Sequence, residues 1–120
     1  MLESHFEIFR GTDTLYHFHL RNQNAEVLLT GHPYFFKPGC YIGIMKIRTC
    51  CRYQYFVRTD SPGSYNFLIH DDAHEIIAYG ASFYTYAERE QAVQEVLAAA
   101  AVAPVVYLGS LVPAKTEALS

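Results

Sequence analysis

The residues of this chain best placed to do chemistry are two histidines, His17 and His19. They lie in the segment Leu15 to Arg21, where apolar Tyr16, Phe18 and Leu20 alternate with His17, His19 and Arg21. Alternation at period two marks a strand with one face buried, so both imidazoles share the outward face. Neutral imidazoles so arranged are capable metal ligands. A metal centre also needs a third or fourth donor within about 2.0–2.3 Å of the ion, and no ligand-spacing motif accompanies the pair. His70 occupies, in a later strand, the place that Arg21 occupies here. No metal and no cofactor is assigned: the weight falls on solvent-facing strand positions opposite a buried row.

The other reactive groups read as structural. Cys40, Cys50 and Cys51 are an odd number in a chain rich enough in apolar residues to build a core, which fits reduced thiols rather than a disulfide framework. A bridge between neighbours such as Cys50 and Cys51 strains the peptide between them, and Cys40 falls on a helical stripe as a small apolar group. Asp71, Asp72 and Glu75 gather in a turn, where Asp bonds to local backbone. There is no Gly-x-Ser-x-Gly nucleophile turn, and the seven glycines are isolated rather than grouped into a phosphate loop. The expectation is therefore no catalytic residue and no enzyme.

Two aromatic clusters, Tyr34-Phe35-Phe36 and Phe83-Tyr84-Thr85-Tyr86, could stack on bases. A net charge of −3 with nine scattered Lys and Arg gives no phosphate-binding footprint. One ring of each cluster is expected to staple a helix to a sheet, leaving the others partly exposed for protein contact. The first residues lack the pattern of a secretory signal. The longest apolar run, Val96 to Leu108, is broken by Pro104 and is too short to cross a bilayer. Cytoplasmic location, with neither nucleic acid nor membrane as partner, is the expectation.

These side chains need a scaffold, and the chain spells one twice. Phe6 to Phe9 reads as a strand ending at the turn residues Gly11-Thr12-Asp13. Leu15 to Arg21 and Ala25 to Thr30 form a hairpin through Asn22-Gln23-Asn24, since Asn tolerates left-handed backbone angles. A helix follows from Lys37 to about Arg48, with Pro38 in its first turn. Its buried stripe is Cys40, Ile44 and Ile47, widened by Tyr41 and Met45. The second half replays this order. Arg52 to Arg58 is a strand and Thr59 to Gly63 a turn; Ser64 to His70 and Glu75 to Tyr79 form a hairpin through Asp71 to His74. Thr85 and Glu88 make a capping box for a helix that presents Arg89, Val93, Val96, Leu97 and Ala100. Pro104 stops it, and Val105 to Leu108 is a closing strand.

The two halves stay in phase at an offset of 49 residues. Tyr16, Phe18, Leu20, Glu26, Gly31 and Tyr34 fall onto Tyr65, Phe67, Ile69, Glu75, Gly80 and Phe83, and Ile8, Val57 and Val106 take one place in the pattern. Identities at this offset are few, Tyr16/Tyr65, Phe18/Phe67, Glu26/Glu75 and Gly31/Gly80, and their count alone hardly exceeds chance. The weight comes from apolar positions, turns and helix starts keeping register throughout.

Read this way, the chain resembles the YegP-like family of small bacterial tandem-repeat proteins. Tyr16 to Thr30 is similar to that family's aromatic-x-Phe-x-Leu strand, Asn-containing turn and Gly-Glu-Ile-Ile-Leu return strand. Lys37 to Ile44 resembles its helix start, and Tyr65 to Ile69 with Glu75 to Ala78 match in the second unit. Coverage runs from about Phe6 to Leu108. The chain departs where the usual Gly before Glu is Ala25 and His74, where Phe36 replaces a capping Ser, and where Gln91-Ala92 replaces Asn-Gly. The resemblance implies one antiparallel sheet, both helices packed on one face, and closing strands exchanged between units. It implies no catalytic residues.

The expected architecture is thus α+β: two β3-α-β repeats, about 5–51 and 52–109, sharing the strand 52–58, in a single domain 1–109 with a flexible tail 110–120. With both helices on one side, the other sheet face is open and carries His17, His19, Arg21, Asn66, Leu68 and His70. A non-enzymatic structural or interaction module follows, meeting a protein partner or a second copy through that face. The alternative is a small-ligand or metal-binding protein using the His-bearing part of it.

Overall fold

The computed structural model describes residues 3–49 and 55–112. Their elements are β1 (His5–Arg10), β2 (Tyr16–Arg21), β3 (Val27–Gly31), α1 (Lys37–Thr49), β4 (Phe56–Ser61), β5 (Ser64–His70), β6 (Ile76–Gly80), α2 (Tyr86–Ala99) and β7 (Val105–Ser110). The fold is α+β, with seven strands in the order β4-β5-β6-β3-β2-β1-β7. Every neighbouring pair is antiparallel except β1 and β7, which run parallel. The sheet is therefore mixed rather than antiparallel throughout. A strand that reaches its neighbour through a helical crossover, as β7 does after α2, can arrive in the same direction; a tight hairpin cannot deliver that.

Alternation in the strands places the core. Phe18 and Leu20 of β2, Phe67 and Ile69 of β5, Cys40, Ile44 and Ile47 of α1, and Val93 and Val96 of α2 join one buried cluster. Tyr41 and Met45 do not widen the α1 stripe; both are exposed, and Gly43 is buried in their stead. A Cβ at Gly43 would lie 2.6 Å from the Tyr34 hydroxyl and one at Gly39 2.7 Å from the Tyr34 ring. The helix thus lies against Tyr34 along its glycines, which turns Tyr41 and Met45 outward. Capping of α2 follows the sequence: the Thr85 hydroxyl accepts from the Glu88 N–H while the Glu88 side chain takes the Thr85 N–H.

The first strands of the two halves match at a spacing of 50, not 49. Phe6 pairs with Leu20 and Ile8 with Phe18; Phe56 pairs with Ile69 and Arg58 with Phe67. Ile8 is buried, whereas Val57 and Val106, equated with it above, are exposed. The hairpin between β1 and β2 holds one residue more than that between β4 and β5, which shifts the pattern by one. Strand β4 continues through Thr59, Asp60 and Ser61, so the turn is only Pro62-Gly63. β7 extends to Ser110, and the Leu111 N–H donates to the Arg10 carbonyl at 2.8 Å. Cys50, Cys51 and the expected strand start at Arg52 lie outside the described residues, as does the segment 113–120.

Candidate functional site

The uncovered face is built by pairing β1 with β2. That register sets Phe9 opposite His17, Glu7 opposite His19 and His5 opposite Arg21. The Phe9 ring stacks on His17 at 5.4 Å between centroids and meets His19 edge-on at 5.1 Å. His17 Nε2 lies 2.9 Å from Asp13 Oδ2. Glu7 takes the centre: Oε2 is 2.9 Å from His5 Nε2, and Oε1 accepts from Arg21 Nε at 2.6 Å. His5 Nδ1 lies 2.8 Å from the Glu3 carbonyl, and Arg21 Nη1 donates to the Ala25 carbonyl at 2.7 Å.

This geometry sets the charges. Both neighbours of the His5 ring, a carbonyl and a carboxylate, can only accept, so both ring nitrogens donate and the imidazolium is the satisfied form. The Glu3 carbonyl and then Glu7 accordingly hold the His5 pKa above its ordinary value. Burial works against the charge on Glu7, yet its bonds to Arg21 and His5 prevail and its pKa falls. His19 moves the other way: burial, then the Arg21 charge, lower its pKa. Its Nδ1 is enclosed, with no hydrogen-bond partner among the described residues. One face thus holds His5 and Arg21 bonded to a common carboxylate, Glu7, with His19 opposite Glu7 in the ladder and its ring against Phe9.

Leu68 and His70 do not join this group. β5 stands three strands from β2, about 14 Å at the usual spacing. There Leu68 lies between Val57 and Tyr79 of the flanking strands. His70 Nδ1 donates to the Asp71 carbonyl at 2.7 Å, and its ring meets those of Tyr55 and His74 at 5.6 and 5.0 Å. Asn66 faces Thr59. The two ends are linked by one row that crosses all seven strands: Val106, Glu7, His19, Thr30, Tyr79, Leu68 and Val57 are successive partners.

Sequence reading missed His5 and Glu7. Glu7 alternates with buried Phe6 and Ile8, which marks it as outward, but only the strand register brings it against His19 and Arg21. Among the described residues, no group of three or more His, Cys, Asp or Glu is disposed to hold a metal ion. Nor is any helix among them long and apolar enough to cross a membrane. The aromatic clusters divide as expected. Tyr34 and Phe83 bridge to Tyr16 and Tyr65 and pack on the core, while Phe35, Phe36, Tyr84 and Tyr86 are exposed.

No family model and no curated protein sequence matches this chain. Solved structures do. The solution structure of YegP of E. coli, described as a protein of unknown function, superposes with a TM-score of 0.82 at 24% identity, covering 91% of this chain and 96% of its own. That of a UPF0339 protein from Shewanella oneidensis gives 0.82 at 20% identity, covering 90% and 93%.

Proposed function

We propose that this chain, which has the fold of the YegP proteins, is a non-catalytic cytoplasmic interaction module whose uncovered sheet face meets a protein partner. The observation that carries this is the row across the sheet. Its β4–β6 end exposes apolar Val57 and Tyr79, and its β1–β2 end carries fixed, mutually bonded charges. An apolar patch beside ordered ions is the composition of a protein contact, the first giving affinity and the second specificity. The buried Cys40 thiol, its pKa raised to about 11 by burial, is a packed core group and not a nucleophile, in keeping with a non-catalytic reading.

The same proposal takes the chain as a duplicated β3-α-β unit that closes each half with a strand from the other. Support comes from paired details: the bridges Tyr16 to Tyr34 and Tyr65 to Phe83, the common register of β1 on β2 and β4 on β5, and β7 lying beside β1.

The small-ligand alternative finds its support in the enclosed, unpartnered Nδ1 of His19. Two variants separate the readings. Tyr79→Lys should abolish specific protein capture from a lysate while keeping the wild-type melting temperature. Small-ligand binding at the other end would instead be lost from calorimetry in His17→Ala/His19→Ala and persist in Tyr79→Lys. Undiminished capture by Tyr79→Lys, or turnover in a broad hydrolase screen, would overturn the module reading.

A further inference from the structure

The two edges of the sheet, β4 and β7, differ in kind. The pairing of β7 with β1 shifts register between Ile8 and Phe9, and Gly109 there has φ +95°. Irregularity of this kind blunts an edge against further pairing. β4 is regular, with six consecutive pairs from Phe56–Ile69 to Ser61–Ser64. Among the described residues it pairs with β5 alone. Its outer side therefore offers a straight row of backbone donors and acceptors.

β1 indicates what such an edge accepts, because it sits on β2 in the register that β4 keeps on β5. The outer side of β1 takes β7, with Val105, Val106 and Tyr107 opposite Phe6, Glu7 and Ile8. On β4, Arg58 stands where β1 has Ile8, and Asp60 where it has Arg10. Both lie on the helix-bearing side: Arg58 Nε donates to Glu90 at 2.8 Å, and Asp60 accepts from Arg89. An apolar strand like β7 laid here would cover these charges without adding partners, which is unfavourable. Inward charges on an edge guard against indiscriminate pairing in this way. The fitting strand has an acid opposite Arg58 and a base opposite Asp60. Read antiparallel, β4 itself is that strand.

We propose that the β4 edge is a self-association surface, on which two copies of the chain pair antiparallel about a twofold axis through Thr59. In that register Arg58 of each copy faces Asp60 of the other, and Val57 faces Ser61. An axis through Arg58 or Asp60 would oppose like charges, so charge selects the Thr59 centre. The Asp60 side chain is 56% exposed, which leaves its carboxylate open to a second guanidinium. Val57, 43% exposed, becomes partly covered. The pairing uses the same patch on both copies and closes at two, so it builds no fibre. It also joins the two uncovered faces into one, although it does not depend on what those faces bind.

The experiment is light scattering and sedimentation on the full chain over a concentration series, with three single variants. Wild type should move from 13.6 kDa to twice that mass. Thr59→Lys sets two ammonium groups together at the axis and should weaken the dimer at least about thirty-fold, with unchanged circular dichroism and melting. Arg58→Asp and Asp60→Arg should each be monomeric. Mixed together they regain both opposite-charge pairs and should form a heterodimer. If either fails to fold, Thr59→Lys decides. A wild type monomeric to about 0.5 mM, a dimer indifferent to Thr59→Lys, or a mixture of folded variants that stays monomeric overturns the proposal. Tyr79→Lys, two strands away, should leave the dimer intact, so failure of the face proposal and failure of this one are separately visible.

Discussion

Two histidines on adjacent strands have their pKa values moved in opposite directions by their surroundings. His5 is flanked by acceptors only, and its pKa is raised; His19 is half-enclosed beside Arg21, and its pKa is lowered. The linkage signs follow. The stabilisation from His5 is complete below pH 6.5 and lost as pH rises through its folded midpoint. That from His19 is complete above pH 6.5 and lost as pH falls through its folded midpoint. Histidine ring-proton titration by NMR should therefore place His5 above 6.5 and His19 below it, and Glu7→Gln should lower the His5 midpoint. Midpoints in the reverse order would refute the charge arrangement. At this scale the alternation of Leu15 to Arg21 was enough to place His17, His19 and Arg21 on one outward face. It could not find Glu7, whose bond to Arg21 and place opposite His19 come from the partner strand, nor therefore His5, which bonds to Glu7.

The turns and caps decide how well each element holds its place. In the β2–β3 turn the Asn22 side-chain oxygen accepts from the N–H groups of Asn24 and Glu26 at 2.9 and 3.0 Å. Asp71 does the same for Ala73 and Glu75 between β5 and β6. Asn22 and Asn24 are the residues expected to be left-handed in the first turn; in these two turns the left-handed residues are Ala25, φ 64°, and His74, φ 63°. Both stand where the resembled family usually has Gly, and a side chain is disfavoured there by about 1–2 kcal/mol. Ala25→Gly and His74→Gly should each stabilise the protein by about 0.5–1 kcal/mol after the entropy of Gly in the unfolded chain is deducted. Urea denaturation checks this; a loss of stability in both would show the turns to be unstrained. A different contact ties the helices together. Arg48 of α1 donates to the Ala101 and Ala103 carbonyls at 3.0 and 2.8 Å, meeting the otherwise open end of α2. Thr85 and Glu88 announced their cap in sequence, but nothing local to Arg48 pointed 53 residues ahead.

The three-stranded groups β1–β3 and β4–β6 meet along a short seam, where β3 pairs with β6 through Leu29–Gly80, Thr30–Tyr79 and Gly31–Ala78. Two glycines let aromatic rings lie against it. A Cβ on Gly31 would come within 2.0 Å of the Phe18 ring and one on Gly80 within 2.3 Å of Phe67. Gly31→Ala or Gly80→Ala should therefore cost about 2–3 kcal/mol by overpacking, seen as a lower urea midpoint. Because one core cluster spans both halves, each variant should still unfold in a single transition by every probe. Two separated transitions would mean that the halves are independent.

Much of this molecule was determined by the chain alone. Periodicity, turn residues and capping chemistry act over a few neighbours, so the seven strands, the two helices, the outward row of β2 and most of the core followed from them. The tertiary structure alone decided that β7 runs parallel to β1, that Arg58 rather than Val57 answers to Ile8, that Tyr41 and Met45 face outward, and that Glu7 sits among His5, His19 and Arg21. Each of these depends on how segments far apart in sequence come into register. One extra residue in a hairpin, or two glycines under a tyrosine ring, is enough to reset that register without disturbing any local pattern.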